Sequence, residues 1–236
     1  MMRLTSAGSC ATATMPAPPE PATGPPVGSL LGLLADPQVR LDIGAAALLV
    51  TAMAVRRDRV SPGEARVFRA VNGLPDAWHA PAWVIMQLGT LGAAPTAAGA
   101  AWLAGDRELA GRLLVSGTAT WALSKLVKQI VRRPRPAALL AGTHSRGRDA
   151  AGLGYLSGHA GVAIALGASA LPRLGPAGRA LTVTAIPVVG LTRVYVGAHL
   201  PLDIAGGAAL GLAVEALVSL AKPGNRRACG TARRSR

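Results

Sequence analysis

Long apolar stretches separated by short polar connections run through most of the chain, a pattern that predicts membrane-spanning helices. Five stretches can span a bilayer, at residues 78–104, 113–131, 159–171, 180–198 and 200–221. A sixth, at 41–55, is marginal because its fifteen residues fall short of the ~20 that a spanning helix needs. Between the first spans, residues 61–74 have the pattern of an amphipathic interfacial helix, with Ser61 as its cap and Pro62 in its first turn.

The two ends of the chain differ from the apolar region between them. Residues 1–28 are rich in Pro, Ala, Ser and Thr, which is typical of a disordered tail. Residues 222–236 contain six basic and no acidic residues, so a second, basic tail is predicted there. The remaining residues, 29–221, are predicted to form a single membrane domain.

Composition supports the membrane class and argues against nucleic acid as a partner. Half of the residues are hydrophobic and 15% are charged, where a soluble domain has roughly 25% charged residues. The mean hydropathy is +0.37. The net charge of +14 comes from arginines between the apolar segments and near the chain end, not from one soluble face. Such charges more often meet lipid phosphates or set topology.

Polar residues form three clusters, each at the end of a predicted span. In the first, six residues separate Lys128 from Arg135, and nearby prolines force the chain into an extended turn. That turn lets Lys128 and Arg135 converge on one anion. The alternative is interfacial snorkelling of long side chains, which suits Lys125, Arg132 and Arg133.

The second cluster is Ser157-Gly158-His159, at the start of an apolar helix. Ser157 can act as the N-cap, and the helix N-terminus then offers N–H groups to an anion. Gly158 permits close backbone approach to that anion, and His159 lies beside it in the first turn. The alternative is a helix cap followed by a packed histidine.

The third cluster contains Thr192-Arg193, then His199, then Asp203 four residues later. Pro201 suits the first turn of a helix, and from that turn Asp203 can reach back to His199 and fix its tautomer. Arg193 stands near the end of an apolar span, where a bound phosphate can supply its partner. The alternative is a structural Arg–Asp pair at a helix junction.

Together the clusters supply the groups for metal-independent transfer of a phosphoryl group through histidine. They contribute three cations, a serine, a helix N-terminus and two histidines, one of which has a carboxylate nearby. A metal site is not predicted, because the cations repel a metal and the clusters offer only two histidines and one aspartate. No other cofactor is predicted.

The three clusters resemble the signature of the type 2 phosphatidic acid phosphatases, which is K-x6-RP, then PSGH, then SR-x5-H-x3-D. The resemblance covers about residues 40–221, and the spacings of the first and third parts match in full. The chain differs at Leu156, where the family usually has proline, and at Thr192, where it usually has serine.

The resemblance implies an all-α integral membrane bundle of about six transmembrane helices, with the catalytic loops at one membrane face. It implies that His199 is the nucleophile, that Asp203 orients it, and that His159 first protonates the leaving oxygen and then activates water. The residues that it implies for binding the phosphate oxygens are Lys128, Arg135, Ser157, Gly158 and Arg193. It further implies a multi-pass protein of the plasma membrane with its site on the outer face.

The predicted function is hydrolysis of a lipid phosphate, such as a prenyl diphosphate of the undecaprenyl type or phosphatidic acid. Two alternatives remain: a phosphotransferase with the same site, and a non-enzymatic phospholipid-binding or transport protein that uses the cations only to hold head groups. Vanadium-dependent haloperoxidases resemble the family at the site, but the spanning segments argue against a soluble oxidase. In the loop at 137–154, Arg146, Arg148 and Asp149 either favour a diphosphate or face water, and His144 is predicted to be solvated.

Overall fold

Helices joined by short loops make up the part of the chain that the computed structural model describes, residues 35–56, 59–147 and 152–221. The helices are α1 (Pro37–Val55), α2 (Pro62–Asn72), α3 (His79–Met86), α4 (Ala93–Leu103), α5 (Arg107–Val131), α6 (Pro136–Leu139), α7 (Gly158–Ala170), α8 (Pro176–Tyr195) and α9 (Pro201–Leu220). Within the described ranges the only β-pairing is an isolated bridge between Pro134 and Leu153. The predicted all-α class is therefore confirmed for these residues, whereas both predicted tails lie outside them.

Several helices begin where the sequence places a cap. Ser61 Oγ accepts a hydrogen bond from the Glu64 amide at 3.1 Å, and Ser157 Oγ accepts one from the Ala160 amide at 3.4 Å. Both predicted N-caps are thus confirmed, and Pro201 is the first residue of α9, as expected.

The predicted number of about six spans is not confirmed. Of the described helices, α1 and α9 are long and apolar enough to cross a membrane, judged by length and composition alone. Helix α1 reaches 19 residues because it begins at Pro37, earlier than the stretch at 41–55 predicts. The stretch at 78–104 is not one helix, because a short 3₁₀ turn at Gln87–Gly89 and a non-helical segment separate α3 from α4. Pro95, in the first turn of α4, has no N–H with which to continue a helix from the residues before it.

Helix α9 lies at the centre of the bundle, where it packs against α1, α5 and α7. Its contact with α7 depends on Gly207 and Gly211. A Cβ at Gly207 would overlap the Ser157 carbonyl oxygen, and one at Gly211 would overlap the Gly161 carbonyl oxygen. This GxxxG pair is therefore a helix-packing device.

A buried ionic cluster ties three helices together at the end of the bundle away from Lys128. The fully buried Glu215 of α9 pairs with Arg40 of α1 at 3.1 Å and with Arg112 of α5 at 2.6 Å. The Ser219 hydroxyl also donates to Glu215, at 2.7 Å. Arg112 precedes Lys128 by sixteen residues, which places this cluster roughly 24 Å along α5 from that lysine.

Large apolar side chains cover much of the outer surface. Each is more than half exposed: Leu49, Val50 and Met53 on α1, Leu103 on α4, Leu126 and Ile130 on α5, and Leu181 and Val183 on α8. Soluble monomers rarely expose apolar patches of this extent, whereas a lipid-facing surface is expected to.

Replacing Gly211 by valine is expected to lower the free energy of unfolding by at least about 2 kcal/mol, because the new side chain forces α7 and α9 apart. Denaturant titration of the purified protein in detergent measures this effect. Gly99→Ala is the matched control: nothing lies within 4 Å of its Cβ position, so it is expected to stabilise α4 by about 0.5–1 kcal/mol. Equal stabilities for the two variants would contradict the close packing of α7 on α9.

Candidate active site

A cavity of about 160 Å³, called the catalytic cavity below, collects residues from all three polar clusters. Of the predicted site residues, it is lined by Lys128, Arg135, Gly158, His159, Arg193 and His199. The other two, Ser157 and Asp203, are fully buried and are not among its lining residues. The fold thus brings together residues that lie as far apart in the sequence as Lys128 and His199.

Each element places its residue through a local feature of the chain. Lys128 lies in the last turn of α5, and Arg135 follows in the extended turn between two prolines. Gly158 and His159 open α7, whose N-terminus carries partial positive charge. Arg193 lies in the last turn of α8, and His199 lies in the loop before α9.

The arginines of the cavity have unused hydrogen-bond donors, whereas the lysine is partly engaged. Lys128 Nζ donates to the carbonyl oxygens of Leu153 and Gly154, at 3.2 and 3.1 Å. The Nε atoms of Arg135 and Arg193 are buried and have no partner within the described residues. Arg193 Nη1 contacts Met86 Sδ at 3.1 Å, and a thioether is a weak acceptor. The cavity is therefore suited to an anion.

The opening of α7 is held in place by close backbone contacts. A Cβ at Gly158 would lie 2.9 Å from Ser124 Oγ, and a Cβ at Gly89 would lie 2.5 Å from the His159 carbonyl oxygen. The Ser157 amide donates to the Asp203 carbonyl at 2.8 Å. The serine side chain caps the helix, so its predicted role in phosphate binding stays a prediction.

Asp203 lies next to His199, at a distance longer than a hydrogen bond. His199 Nδ1 is 3.7 Å from Asp203 Oδ2, and this Nδ1 is buried without a hydrogen-bond partner in the described residues. Oδ2 instead accepts the Leu200 amide at 2.8 Å, which fixes the carboxylate against the loop that carries the histidine. The orienting contact predicted from the sequence is therefore electrostatic in this structure.

Burial is the main influence on the charge state of His199. It lowers the pKa of His199 to about 4; the Asp203 carboxylate opposes this shift, and the positive charges of Lys128 and Arg193 reinforce it. At neutral pH the imidazole is thus uncharged and retains a nitrogen lone pair, as a nucleophile requires.

Arg133 is buried, so the interpretation of this residue as a snorkelling interfacial side chain is wrong. Its Nη1 and Nη2 pair with the Glu64 carboxylate at 3.1 and 2.8 Å, and Nη1 also donates to Asp203 Oδ1 at 2.8 Å. Burial alone lowers the pKa of Arg133, but the hydrogen bonds and charges of Glu64 and Asp203 outweigh it and raise the pKa above its usual value. A structural Arg–Asp pair therefore exists at this helix junction, but Asp203 pairs with Arg133 and not with Arg193.

The role of Glu64 was not predicted from the sequence, although its position on the apolar face of an amphipathic helix indicated one. Glu64 shares the buried face of α2 with Phe68 and Asn72, which follow at four-residue spacing. A carboxylate on the apolar face of a helix needs a buried partner. Glu64 Oε1 also accepts the Leu202 amide at 3.1 Å, so this one side chain supports both Arg133 and the start of α9.

The loop after α6 is anchored rather than free to bind a ligand. Arg146 donates to Asp76 Oδ1 at 2.6 Å and to the carbonyl oxygens of Asn72, Leu74 and Tyr195. Its guanidinium also stacks over the Tyr195 ring at 4.4 Å. The nearby His144 is exposed, as predicted. Arg148 and Asp149, which the sequence also singled out, lie outside the described residues.

A family model described as the PAP2 superfamily matches residues 109–227, just over half of the chain. The matched interval contains every residue of the three polar clusters. The chain belongs to the PAP2 superfamily.

This PAP2 protein is 34% identical over 122 residues to proteins named decaprenylphosphoryl-5-phosphoribose phosphatase from two strains of Mycobacterium tuberculosis. The match covers 49% of this chain and 64% of the relatives, which is less than two thirds of their length.

Two crystal structures share its fold. LpxE of Aquifex aeolicus superimposes with a TM-score of 0.60 at 20% identity, covering 66% of this chain and 94% of that one. A transmembrane PAP2-type phosphatidylglycerolphosphate phosphatase from Bacillus subtilis superimposes with a TM-score of 0.59 at 21% identity. The match covers 75% of this chain and 94% of that one.

Arg133→Met is expected to lower the free energy of unfolding by about 3–5 kcal/mol, because it leaves the buried Glu64 and Asp203 carboxylates without their cation. Arg132→Met is the matched control, since the neighbouring Arg132 side chain is exposed. Denaturant titration of both variants in detergent measures the difference. A loss below about 1 kcal/mol for Arg133→Met would show that the pair contributes little.

The lowered pKa of His199 predicts a specific dependence of stability on pH. Because the folded pKa of about 4 lies below the unfolded value of 6.5, this stabilising contribution is present above pH 6.5 and is lost as the pH falls towards 4. His199→Gln removes the contribution. The difference in unfolding free energy between wild type and His199→Gln is therefore expected to shift in favour of the variant by up to about 1.4 kcal/mol per pH unit across that window. A difference that stays constant with pH would contradict the lowered pKa.

Proposed function

We propose that this PAP2 protein is an integral membrane phosphatase that hydrolyses a lipid phosphate through a phosphohistidine intermediate. One observation carries the proposal: the catalytic cavity combines an uncharged buried histidine with Lys128, Arg135 and Arg193 and with a second histidine, His159. Fixed cations around a histidine nucleophile match the charge of a transferring phosphoryl group.

In the first step, His199 attacks the phosphorus atom. Because Nδ1 faces Asp203, we assign the attack to Nε2. The new P–N bond forms while the P–O bond to the lipid breaks, and His159, protonated while the phosphate dianion is bound beside it, gives its proton to the departing lipid oxygen. The negative charge of Asp203 then stabilises the positive charge on the phosphorylated imidazole.

In the second step, the phosphohistidine is hydrolysed. His159, now unprotonated, takes a proton from water as the water oxygen attacks phosphorus, and the P–N bond breaks to release inorganic phosphate. His199 and His159 both return to their starting states. Lys128, Arg135, Arg193 and the N-terminus of α7 hold the phosphoryl oxygens throughout, so the proposed mechanism needs no metal ion.

The surface of the protein supports a position in the bilayer. Exposed apolar side chains cover α1, α4, α5 and α8, as lipid contact requires. We place the catalytic cavity, which lies at the Lys128 end of α5, near one membrane face. We propose that this is the outer face of the plasma membrane and that the chain crosses the membrane several times.

The spaces around the site suit a lipid substrate. The catalytic cavity has the volume of about five water molecules, enough for a phosphate group but not for the rest of a lipid. Beyond Thr90 lies a groove of about 830 Å³ between α4, α7 and α8, lined mainly by alanine, leucine and other apolar residues. The hydrocarbon chain of the substrate is proposed to lie in this groove. The curated relatives, which are named as phosphatases of a polyprenyl-linked phosphosugar, favour a prenyl lipid.

The test is phosphate release by the purified protein in detergent with EDTA, across lipid monophosphates and diphosphates. His199→Ala is expected to lower kcat by at least about 10³-fold, because it removes the nucleophile. Quenching with alkaline SDS during turnover of a ³²P-labelled substrate is expected to trap labelled protein in wild type but not in this variant, because the P–N bond of phosphohistidine survives in base. Undiminished hydrolysis by His199→Ala would overturn the mechanism.

Two further outcomes of the same assay identify the rival functions. Transfer of the label to an added alcohol in preference to water would identify a phosphotransferase. Tight binding of lipid phosphate without any turnover, unchanged in His199→Ala and His159→Ala, would identify a binding or transport protein.

A further inference from the structure

A second cavity lies beside the catalytic cavity and shares two arginines with it. This space of about 460 Å³, called the vestibule below, is bounded by Arg135 and Arg193 on the shared side and by His79, Trp83 and Ser145 on its outer side. The three outer residues are exposed, so the vestibule opens to the surface of the protein. Neither catalytic histidine is among the residues that line it.

The catalytic cavity therefore adjoins two larger spaces, the apolar groove beyond Thr90 and the vestibule beyond the arginines. A terminal phosphate has one substituent, so only one of the two spaces can hold the remainder of the substrate. The remainder must start beside the group that protonates the leaving oxygen, which the proposed function assigns to His159.

Contacts of His159 place the leaving group on the groove side. The backbone of His159 packs against Gly89, and the next residue, Thr90, lines both the catalytic cavity and the groove. The lipid is thus expected to extend past Thr90. The vestibule, on the far side of Arg135 and Arg193, is left free while the substrate is bound.

The charges around the vestibule favour a small inorganic anion. Arg135 and Arg193 each have a buried Nε without a partner in the described residues, and His79 adds a further donor. No carboxylate is among the described residues that line it: Asp76 lies outside and is held by Arg146. Arg146 also lines the vestibule, but it makes four hydrogen bonds, to Asp76 and to carbonyl groups, so among the described residues Arg135 and Arg193 are the cations left to meet an anion there.

We propose that the vestibule is the exit route for inorganic phosphate, which passes between Arg135 and Arg193 while the dephosphorylated lipid leaves through the groove. This inference rests on the proposed function, because it uses the role of His159. It assigns to His79, Trp83 and Ser145 a part in product release that is separate from chemistry. Separate exits allow the phosphate to leave past the two arginines and the lipid to leave through a groove whose described lining residues carry no charge.

The test is to obstruct the vestibule without touching the catalytic cavity. Ser145→Trp places an indole at its outer side, on an exposed loop residue. Rapid mixing with a lipid phosphate is then expected to give a burst of about one equivalent of dephosphorylated lipid per enzyme, followed by slow turnover. We expect kcat to fall about threefold or more because phosphate release limits the rate, while the single-turnover rate stays that of wild type.

His144→Trp is the matched control. It introduces the same ring one residue earlier, at an exposed position that lines a neighbouring cavity beside Asp76 instead of the vestibule. It is expected to turn over like wild type and without a burst. His79→Trp obstructs the vestibule from α3 and is expected to reproduce the Ser145→Trp kinetics, so the result does not depend on the folding of one variant.

The outcomes separate this inference from the function on which it rests. If wild type turns over and both obstructed variants release phosphate at the wild-type rate without a burst, the exit route is wrong and the phosphatase function stands. A lower single-turnover rate in both variants would mean that the lipid itself uses the vestibule, which also overturns the inference. If wild type releases no phosphate from any lipid phosphate, the proposed function fails and the exit route fails with it.

Discussion

The buried guanidinium of Arg133 is the contact on which the arrangement of the site depends. It joins α2 through Glu64 to α9 through Asp203, across about 70 residues of sequence in each direction. Removing three charges from water is costly, and the cost is offset only when each charge meets its partners with good geometry. The same two carboxylates also accept the amides of Leu200 and Leu202, so the ionic cluster fixes the backbone on both sides of the α9 start. His199 is the residue immediately before that segment.

The two ionic ends of the bundle differ in how completely their charges are matched. At Glu215, two arginines and a serine saturate one buried carboxylate. At the catalytic cavity, the Nε atoms of Arg135 and Arg193 have no hydrogen-bond partner in the described residues. The carboxylate of Asp203, beside His199, is already engaged by Arg133. A cluster of cations without acidic partners is stable only when it is partly hydrated or when it binds an anion. This imbalance leaves the Glu215 end saturated and makes the other end suited to an anion.

Close backbone contacts at three glycines place the start of α7 against its neighbours. Gly89 meets the His159 carbonyl, Gly158 meets Ser124, and Gly207 meets the Ser157 carbonyl. Side chains at these positions would push α7 away from α5 and α9 and open the catalytic cavity. These glycines thus determine how small the cavity can be. A cavity of this size has room for a phosphate group but not for a hydrocarbon chain.

The sequence alone determined the features that depend on neighbouring residues. Apolar stretches, caps at Ser61 and Ser157, and the spacing of the three polar clusters are local, so they led to the helical class, to the family and to the residues that line the cavity. Tertiary structure decided the rest. The burial of Arg133 and the capture of Arg146 by Asp76 both depend on partners that are distant in sequence. From sequence alone, a charged residue that is buried cannot be told from one that snorkels, when both stand beside an apolar span. Burial is possible only when the fold brings a partner that offsets its cost, and that partner can be distant in sequence.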